Sequence, residues 1–118
     1  MTQKIRIAGG KQLKGEVSVS GAKNAVLKLM AAALLAKGES KIYNVPELTD
    51  VVIMLNVIEQ LGAKTSYNKK EKSLTIDASD LTSVKASYEL VSRMRASFVV
   101  LGALVGRCRE AIVALPGG

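Results

Sequence analysis

The sequence predicts an α/β chain, and three observations carry that prediction. Short segments alternate apolar and polar residues at the strand period, as in Val17-Ser18-Val19-Ser20, whereas Val51, Met54, Leu55, Ile58 and Leu61 recur at the helical period. Gly38, Pro46 and Gly62 punctuate these segments where a helix or strand has to stop. The order of segments also repeats: Ala33-Leu34, Ile42 and Pro46 recur 70 residues later as Ala103-Leu104, Ile112 and Pro116, each set reading apolar helix, basic residue, strand, proline.

Taken in order, two extended segments open the chain, Lys4 to Ala8 and Glu16 to Ser20, separated by the turn-forming Gly9-Gly10-Lys11 and Lys14-Gly15. A first helix is expected from Ala22 to Lys37, apolar on nearly every side except at Lys23, Asn24 and Lys28, and stopped by Gly38. A helix so apolar should be buried. Lys41 to Val45 reads as a strand closed by Pro46, after which Thr49 or Asp50 can cap a second helix that ends at Gly62. A hairpin follows, Lys64 to Tyr67 and Ser73 to Asp77 around a turn at 68–72, and then a third helix from about Tyr88 to Arg107 and a strand Ala111 to Leu115. The predicted order is β, α, β, α, β, β, α, β. The run Lys69-Lys70-Glu71-Lys72 falls in the hairpin turn, where charge keeps an exposed tip solvated.

Composition narrows the functional classes. Of the 118 residues 48% are hydrophobic, but the aromatics are only Phe98 and three tyrosines, so the core is aliphatic and alanine-rich and there is no platform for stacking bases. The net charge of +7 favours anionic partners without choosing among them. The basic residues are scattered through the elements and form no recognition helix, so a nucleic-acid partner is not expected. With Cys108 the lone cysteine and no histidine in the chain, neither an internal disulfide nor a zinc site is expected, and no cofactor or metal is implied. The longest apolar stretches, Leu29 to Ala36 and Ala96 to Gly106, are too short to span a bilayer, and the polar Met1 to Arg6 carries no apolar leader core, so a cytoplasmic protein without a membrane partner is expected.

The strongest local signal is Ser20-Gly21-Ala22-Lys23-Asn24-Ala25 at a strand-to-helix junction. Free backbone N–H groups and the positive end of a helix dipole attract anions at such a place. Glycine would let a ligand approach the backbone, Lys23 adds a full charge, and Asn24 offers a donor and an acceptor. The alternative reading is a side-chain-capped helix with a solvated lysine.

The stretch Gly15 to Ala25, with Ala31-Ala32-Ala33-Leu34-Leu35-Ala36, resembles the opening of the UDP-N-acetylglucosamine 1-carboxyvinyltransferases. Further segments resemble that family in order: Tyr43-Asn44-Val45-Pro46, Leu48-Thr49-Asp50-Val51, Leu61-Gly62-Ala63-Lys64, Ile76-Asp77-Ala78, Tyr88-Glu89-Leu90-Val91, Met94-Arg95-Ala96-Ser97 and Leu115-Pro116-Gly117-Gly118. Related shikimate-pathway enolpyruvyl transferases carry a different motif around the first-helix lysine, and Lys23-Asn24-Ala25 fits the sugar-nucleotide branch better.

The resemblance implies a partial inverse α/β barrel built from βαβαββ repeats, with about one and a half repeats present. Residues 22–118 would be an incomplete first barrel domain, and strands within 1–21 would belong to the other domain. It implies transfer of enolpyruvyl from phosphoenolpyruvate to the 3-hydroxyl of UDP-N-acetylglucosamine, the first committed step of peptidoglycan synthesis, by addition and elimination through a phosphorylated ketal. Lys23 and Asn24 match positions that contact phosphoenolpyruvate, and Arg95 matches a position that binds UDP-N-acetylglucosamine.

The family's catalytic cysteine or aspartate would come directly after Gly118, so no catalytic residue is expected within the chain, and these 118 residues alone would be inactive without the remainder of the enzyme. Pro116-Gly117-Gly118 would be a hinge into the moving loop that carries that residue. Cys108 matches a structural position and is read as half-buried. Lys28, Ser87 and Ala103 stand where the family would have proline. Lys28 either faces the same anionic cleft as Lys23 and Asn24 or carries its charge out to solvent, and Arg93 is either a further nucleotide contact or a solvated charge. The alternative function is a non-catalytic phosphate- or nucleotide-binding module.

Overall fold

The computed structural model describes residues 2–115, with the side chains of Ala96 and Ser97 outside the description. Two helices lead the fold: α1 (Lys23–Ala32), continued by a 3-10 turn (Ala33–Leu35), and α2 (Thr49–Gln60). Between them runs β1 (Glu39–Ile42), and after them come β2 (Lys64–Asn68) and β3 (Ser73–Asp77). The chain continues through β4 (Lys85–Ala86), α3 (Tyr88–Arg93), a 3-10 turn (Arg95–Val99), α4 (Val100–Cys108) and β5 (Ile112–Val113).

The hairpin forms as its alternation predicts. β3 is the middle strand of an antiparallel sheet ordered β1-β3-β2, pairing Leu74 with Ile42 on one side and with Tyr67 on the other. At the turn the Asn68 side-chain oxygen accepts from the N–H groups of Lys70 and Glu71, at 3.0 and 3.1 Å, which closes the loop locally. Lys69 and Lys41 reach Glu47 and Glu71 at 3.0 and 3.5 Å in exposed ion pairs, in keeping with a solvated tip. Leu74 and Ile76 point from β3 into a single core shared with Met30 and Leu34, Met54 and Ile58 of α2, and Leu104 of α4, all completely buried.

The two opening strands do not form. Residues 2–20 adopt no strand, and Ile5, Ile7, Val17 and Val19 are 86–91% exposed. Alternation alone makes a strand only when a ladder partner satisfies its backbone, and none of the described residues supplies one. The resulting arm explains why the radius of gyration is 17.6 Å, against about 13.5 Å for a compact chain of this length.

The first helix is shorter and less enclosed than its composition implied. Its α-helical part ends at Ala32, the 3-10 turn at Leu35, and Ala36 is already extended. Val26, Leu27, Met30 and Ala31 face the core while Leu29 and Leu35 stay half exposed. β1 occupies Glu39–Ile42 rather than Lys41 to Val45, because Asn44 turns the chain with φ of 54° and the N–H of Val45 donates to the Lys72 carbonyl at 2.8 Å. Neither Thr49 nor Asp50 caps α2. Leu48 occupies the cap position with no side-chain bond, and Asp50 lies in the first turn, where its charge meets the positive helix end. Gly62 does end that helix, with φ of 107°.

The predicted third helix is broken at Met94, which is extended (φ −153°, ψ 114°) and buried. Val91, Met94 and Phe98 keep the helical i, i+3, i+7 spacing, so the break is not legible in the apolar pattern. Short β4, which the sequence did not disclose, pairs in parallel with β5 through Lys85 with Ile112 and Ala86 with Val113. The intervening helices make this a βαβ unit.

The repeat shows in burial: Ala33 and Ala103 are 7% and 6% exposed, and Leu34 and Leu104 are both fully buried. Ile42 and Ile112 each fall in the strand that follows. Pro116, the last member of the second set, and the Pro116-Gly117-Gly118 hinge lie outside the described residues.

Arg107 ties the two copies together. Its guanidinium donates to the carbonyls of Leu34 and Ala36, both at 3.0 Å, and to that of Ser79 at 3.1 Å. The planar fork reaches three acceptors at once, which lysine could not match. Arg107→Met is expected to cost about 1–2 kcal/mol in a denaturant titration, since it strips charged donors from three carbonyls in a partly wet setting.

Candidate functional site

Lys23 is the first residue of α1, and Asn24 follows it. Ala22 holds the cap position in an extended conformation, makes no side-chain cap bond, and no acidic residue lies in the first turn. The capped-helix reading therefore fails. The first-turn N–H groups have no acceptor within the helix, so the positive end of α1 is available to an anion.

Gly21 serves a different purpose from the one its sequence context implied. A Cβ at this position would collide with the Asn44 carbonyl oxygen and lie 3.3 Å from the Pro46 ring. The glycine therefore makes room for the Asn44–Pro46 backbone rather than for a ligand. By packing there it fixes the angle at which the chain enters α1.

The Lys23 ammonium lies 3.1 Å from a carboxylate oxygen of Asp50, with the two side chains 49% and 31% exposed. The sequence reading missed this pair because it took Asp50 for a cap. A topological signal was present: with β1 returning between them, α1 and α2 start at the same end of the sheet, which brings their first-turn residues together. Asp50 is thus shared between the dipole of its own helix and the lysine of the neighbouring one. Asp50→Asn, which removes charge and keeps shape, is expected to change stability by less than about 1 kcal/mol in a denaturant titration, since the pair is part exposed.

Arg95 opens the 3-10 turn that packs against α1, and it is exposed. The far end of that turn, Val99, lines a hollow of about 80 Å³ with Asn24, Leu27 and Lys28. Lys23, Asn24 and Arg95 therefore sit on two packed elements, and no hydrogen bond or ion pair joins Arg95 to the other two among the described residues. Arg93 is exposed at the end of α3. Cys108 is a half-buried free thiol at the end of α4.

A larger cavity, about 620 Å³, lies elsewhere, between the start of α2 and the hairpin. Its lining is mostly apolar and includes none of Lys23, Asn24 or Arg95. Among the described residues no three His, Cys, Asp or Glu side chains converge as a metal site. No helix among the described residues is long and apolar enough to cross a membrane.

A helix start charged by a paired lysine, on a mixed α/β fold with an internal repeat, offers an anion a place to bind. Residues 7–118 match the family model described as EPSP synthase (3-phosphoshikimate 1-carboxyvinyltransferase), and the chain belongs to that family of carboxyvinyl (enolpyruvyl) transferases. Within it the chain is similar to proteins named UDP-N-acetylglucosamine 1-carboxyvinyltransferase. That of Staphylococcus saprophyticus is 55% identical over 97% of this chain, and that of Dichelobacter nodosus 50% identical over 98%. The chain spans 27% of the length of each of these relatives.

Its structure is similar to that of the enolpyruvyl transferase NikO from Streptomyces tendae, with a TM-score of 0.71 and 31% identity over 82% of this chain and 22% of that one. The expected fold, a partial enolpyruvyl transferase architecture, is borne out by these likenesses.

Proposed function

We propose that this chain is the opening part of an enzyme that transfers the enolpyruvyl group of phosphoenolpyruvate to the 3-hydroxyl of UDP-N-acetylglucosamine. That reaction begins the committed synthesis of peptidoglycan in the cytoplasm. The observation that carries the reading is the uncapped start of α1, where Lys23 is held by Asp50 beside Asn24, in a chain half identical to transferases of that name.

In the addition step, the sugar hydroxyl oxygen bonds to C2 of phosphoenolpyruvate, the hydroxyl proton leaves, and C3 gains a proton to become a methyl group. In the elimination step, the C2–O bond to phosphate breaks and C3 gives up a proton. The products are the enolpyruvyl ether and inorganic phosphate. Both anionic groups of phosphoenolpyruvate need compensation throughout. In this reading the Lys23 ammonium and the free N–H groups of α1 provide it, and the Asn24 amide orients the substrate. Asp50 is a positioning residue that keeps the lysine extended toward the ligand. Arg95 receives the sugar nucleotide, its guanidinium suited to bidentate contact with oxygens.

The group that protonates C3, a cysteine or aspartate, would follow Gly118, and the second domain would complete both substrate sites. Residues 22–118 would form the start of the first barrel domain and residues 1–21 would join the other. The exposed Ile5, Ile7, Val17 and Val19 support that assignment, since apolar residues in an unpaired arm need a sheet to cover them. Mass spectrometry of the complete transferase incubated with both substrates tests the reading. A product heavier than UDP-N-acetylglucosamine by one enolpyruvyl group is expected, and recovery of the unmodified sugar nucleotide alone would refute it.

A further inference from the structure

The proposed reaction assigns roles to Lys23, Asn24 and Arg95 and leaves Lys28 with none, although Lys28 lines a hollow together with Asn24. It lies four residues after Asn24 on α1, so the two side chains share one helix face. Together they line the small hollow closed by Leu27 and by Val99 of the 3-10 turn that Arg95 opens.

Among the described residues the exposed Lys28 ammonium makes no ion pair and no hydrogen bond, as is true also of Lys37, Lys70, Lys72 and Lys85, so it is its place in the hollow that sets it apart. Its neighbours in the hollow carry no charge to satisfy it: one amide and two aliphatic side chains. The expectation that Lys28 either faces the anionic cleft or carries its charge out to solvent thus meets a specific placement, beside Asn24 and toward the element that bears Arg95.

The geometry points to Lys28 as an additional binding residue for the anionic diphosphate of the sugar nucleotide, acting alongside Arg95. This inference rests on the enolpyruvyl-transfer reading of the same site. The choice of the sugar nucleotide over phosphoenolpyruvate follows from direction: Lys23 is anchored on the α2 side by Asp50, while Lys28 lies against the 3-10 turn. An ammonium there adds charge attraction without fixing geometry, so it lowers the KM of the nucleotide and leaves the chemical step alone.

The test is steady-state kinetics of the complete transferase with Lys28→Met and Lys28→Arg, varying each substrate in turn and repeating the nucleotide series at raised salt. Lys28→Met is expected to raise the KM for UDP-N-acetylglucosamine about fivefold to tenfold, to leave kcat and the KM for phosphoenolpyruvate unchanged, and to flatten the salt dependence of the nucleotide KM. Lys28→Arg should restore most of the loss. A nucleotide KM and salt dependence equal to wild type in Lys28→Met would overturn the inference and leave Lys28 a solvated charge. Lys23→Ala assayed in parallel separates the two failures. If it abolishes turnover while Lys28→Met is silent, only the Lys28 role is lost; full turnover in Lys23→Ala removes the reading on which that role depends.

Discussion

Lys23→Ala is expected to lower kcat/KM of the complete transferase about a thousandfold. The substitution removes the one full positive charge in the first turn of α1, where the backbone N–H groups are already free of any cap. Deleting a single preorganised donor from a site where charge develops costs about a hundredfold to a thousandfold, and in the proposed reading Lys23 would face both a carboxylate and a phosphate, which places it at the upper end. The same change leaves Asp50 without its partner. An uncompensated carboxylate beside the incoming anion then adds repulsion to the lost attraction. Lys23→Arg keeps the charge but not the compact ammonium, so it should recover the fold and only part of the rate. Circular dichroism with the kinetics checks that the loss is chemical. A Lys23→Ala protein with native spectra and undiminished turnover would remove Lys23 from the site.

Gly21→Ala is the second large effect, and it acts on stability. One added methyl would overlap the Asn44 carbonyl oxygen, and the atom in the way is backbone, held by a positive φ at Asn44 and by the Val45 to Lys72 hydrogen bond. Neither neighbour can rotate aside as a long side chain would. A cost of about 3 kcal/mol is expected, at the high end of overpacking effects, and would read as a lower urea midpoint with an unchanged m-value. Gly102→Ala is the matched control, because nothing lies within 4 Å of its Cβ position and it sits inside α4. It should raise stability by about 0.5–1 kcal/mol. Equal stability in the two variants would show that Asn44 does not press on Gly21.

The elements that were legible in the sequence are those that carry their own stabilisation. α2 announces itself through Val51, Met54 and Ile58 at the helical period, and the β2–β3 hairpin through alternation around an Asn-bearing turn. Local pattern failed where stability depends on distant partners. The Val17–Val19 alternation is as strand-like as that of β3, but β3 has two neighbours and the arm has none among the described residues. Two-residue β4 has no pattern at all, and only its pairing with β5 makes it a strand. Met94 breaks the third helix although Val91, Met94 and Phe98 keep the helical spacing.

The site divides along the same line. Lys23 and Asn24 were visible because a helix start is a local feature, and Arg95 through family resemblance alone. Asp50 was seen but misread, since its partner is 27 residues away and reached only through the parallel start of two helices. Gly21 was singled out for a ligand that does not occupy its open side; that space belongs to Asn44.

The central claim is that this helix start serves enolpyruvyl transfer to a sugar nucleotide, and the family match leaves the acceptor as the point to decide. Phosphate release from phosphoenolpyruvate by the complete transferase, measured with UDP-N-acetylglucosamine or 3-phosphoshikimate as acceptor, decides it most directly. Release is expected with UDP-N-acetylglucosamine and not with 3-phosphoshikimate. Release supported by 3-phosphoshikimate alone, or by neither acceptor, would contradict the assignment.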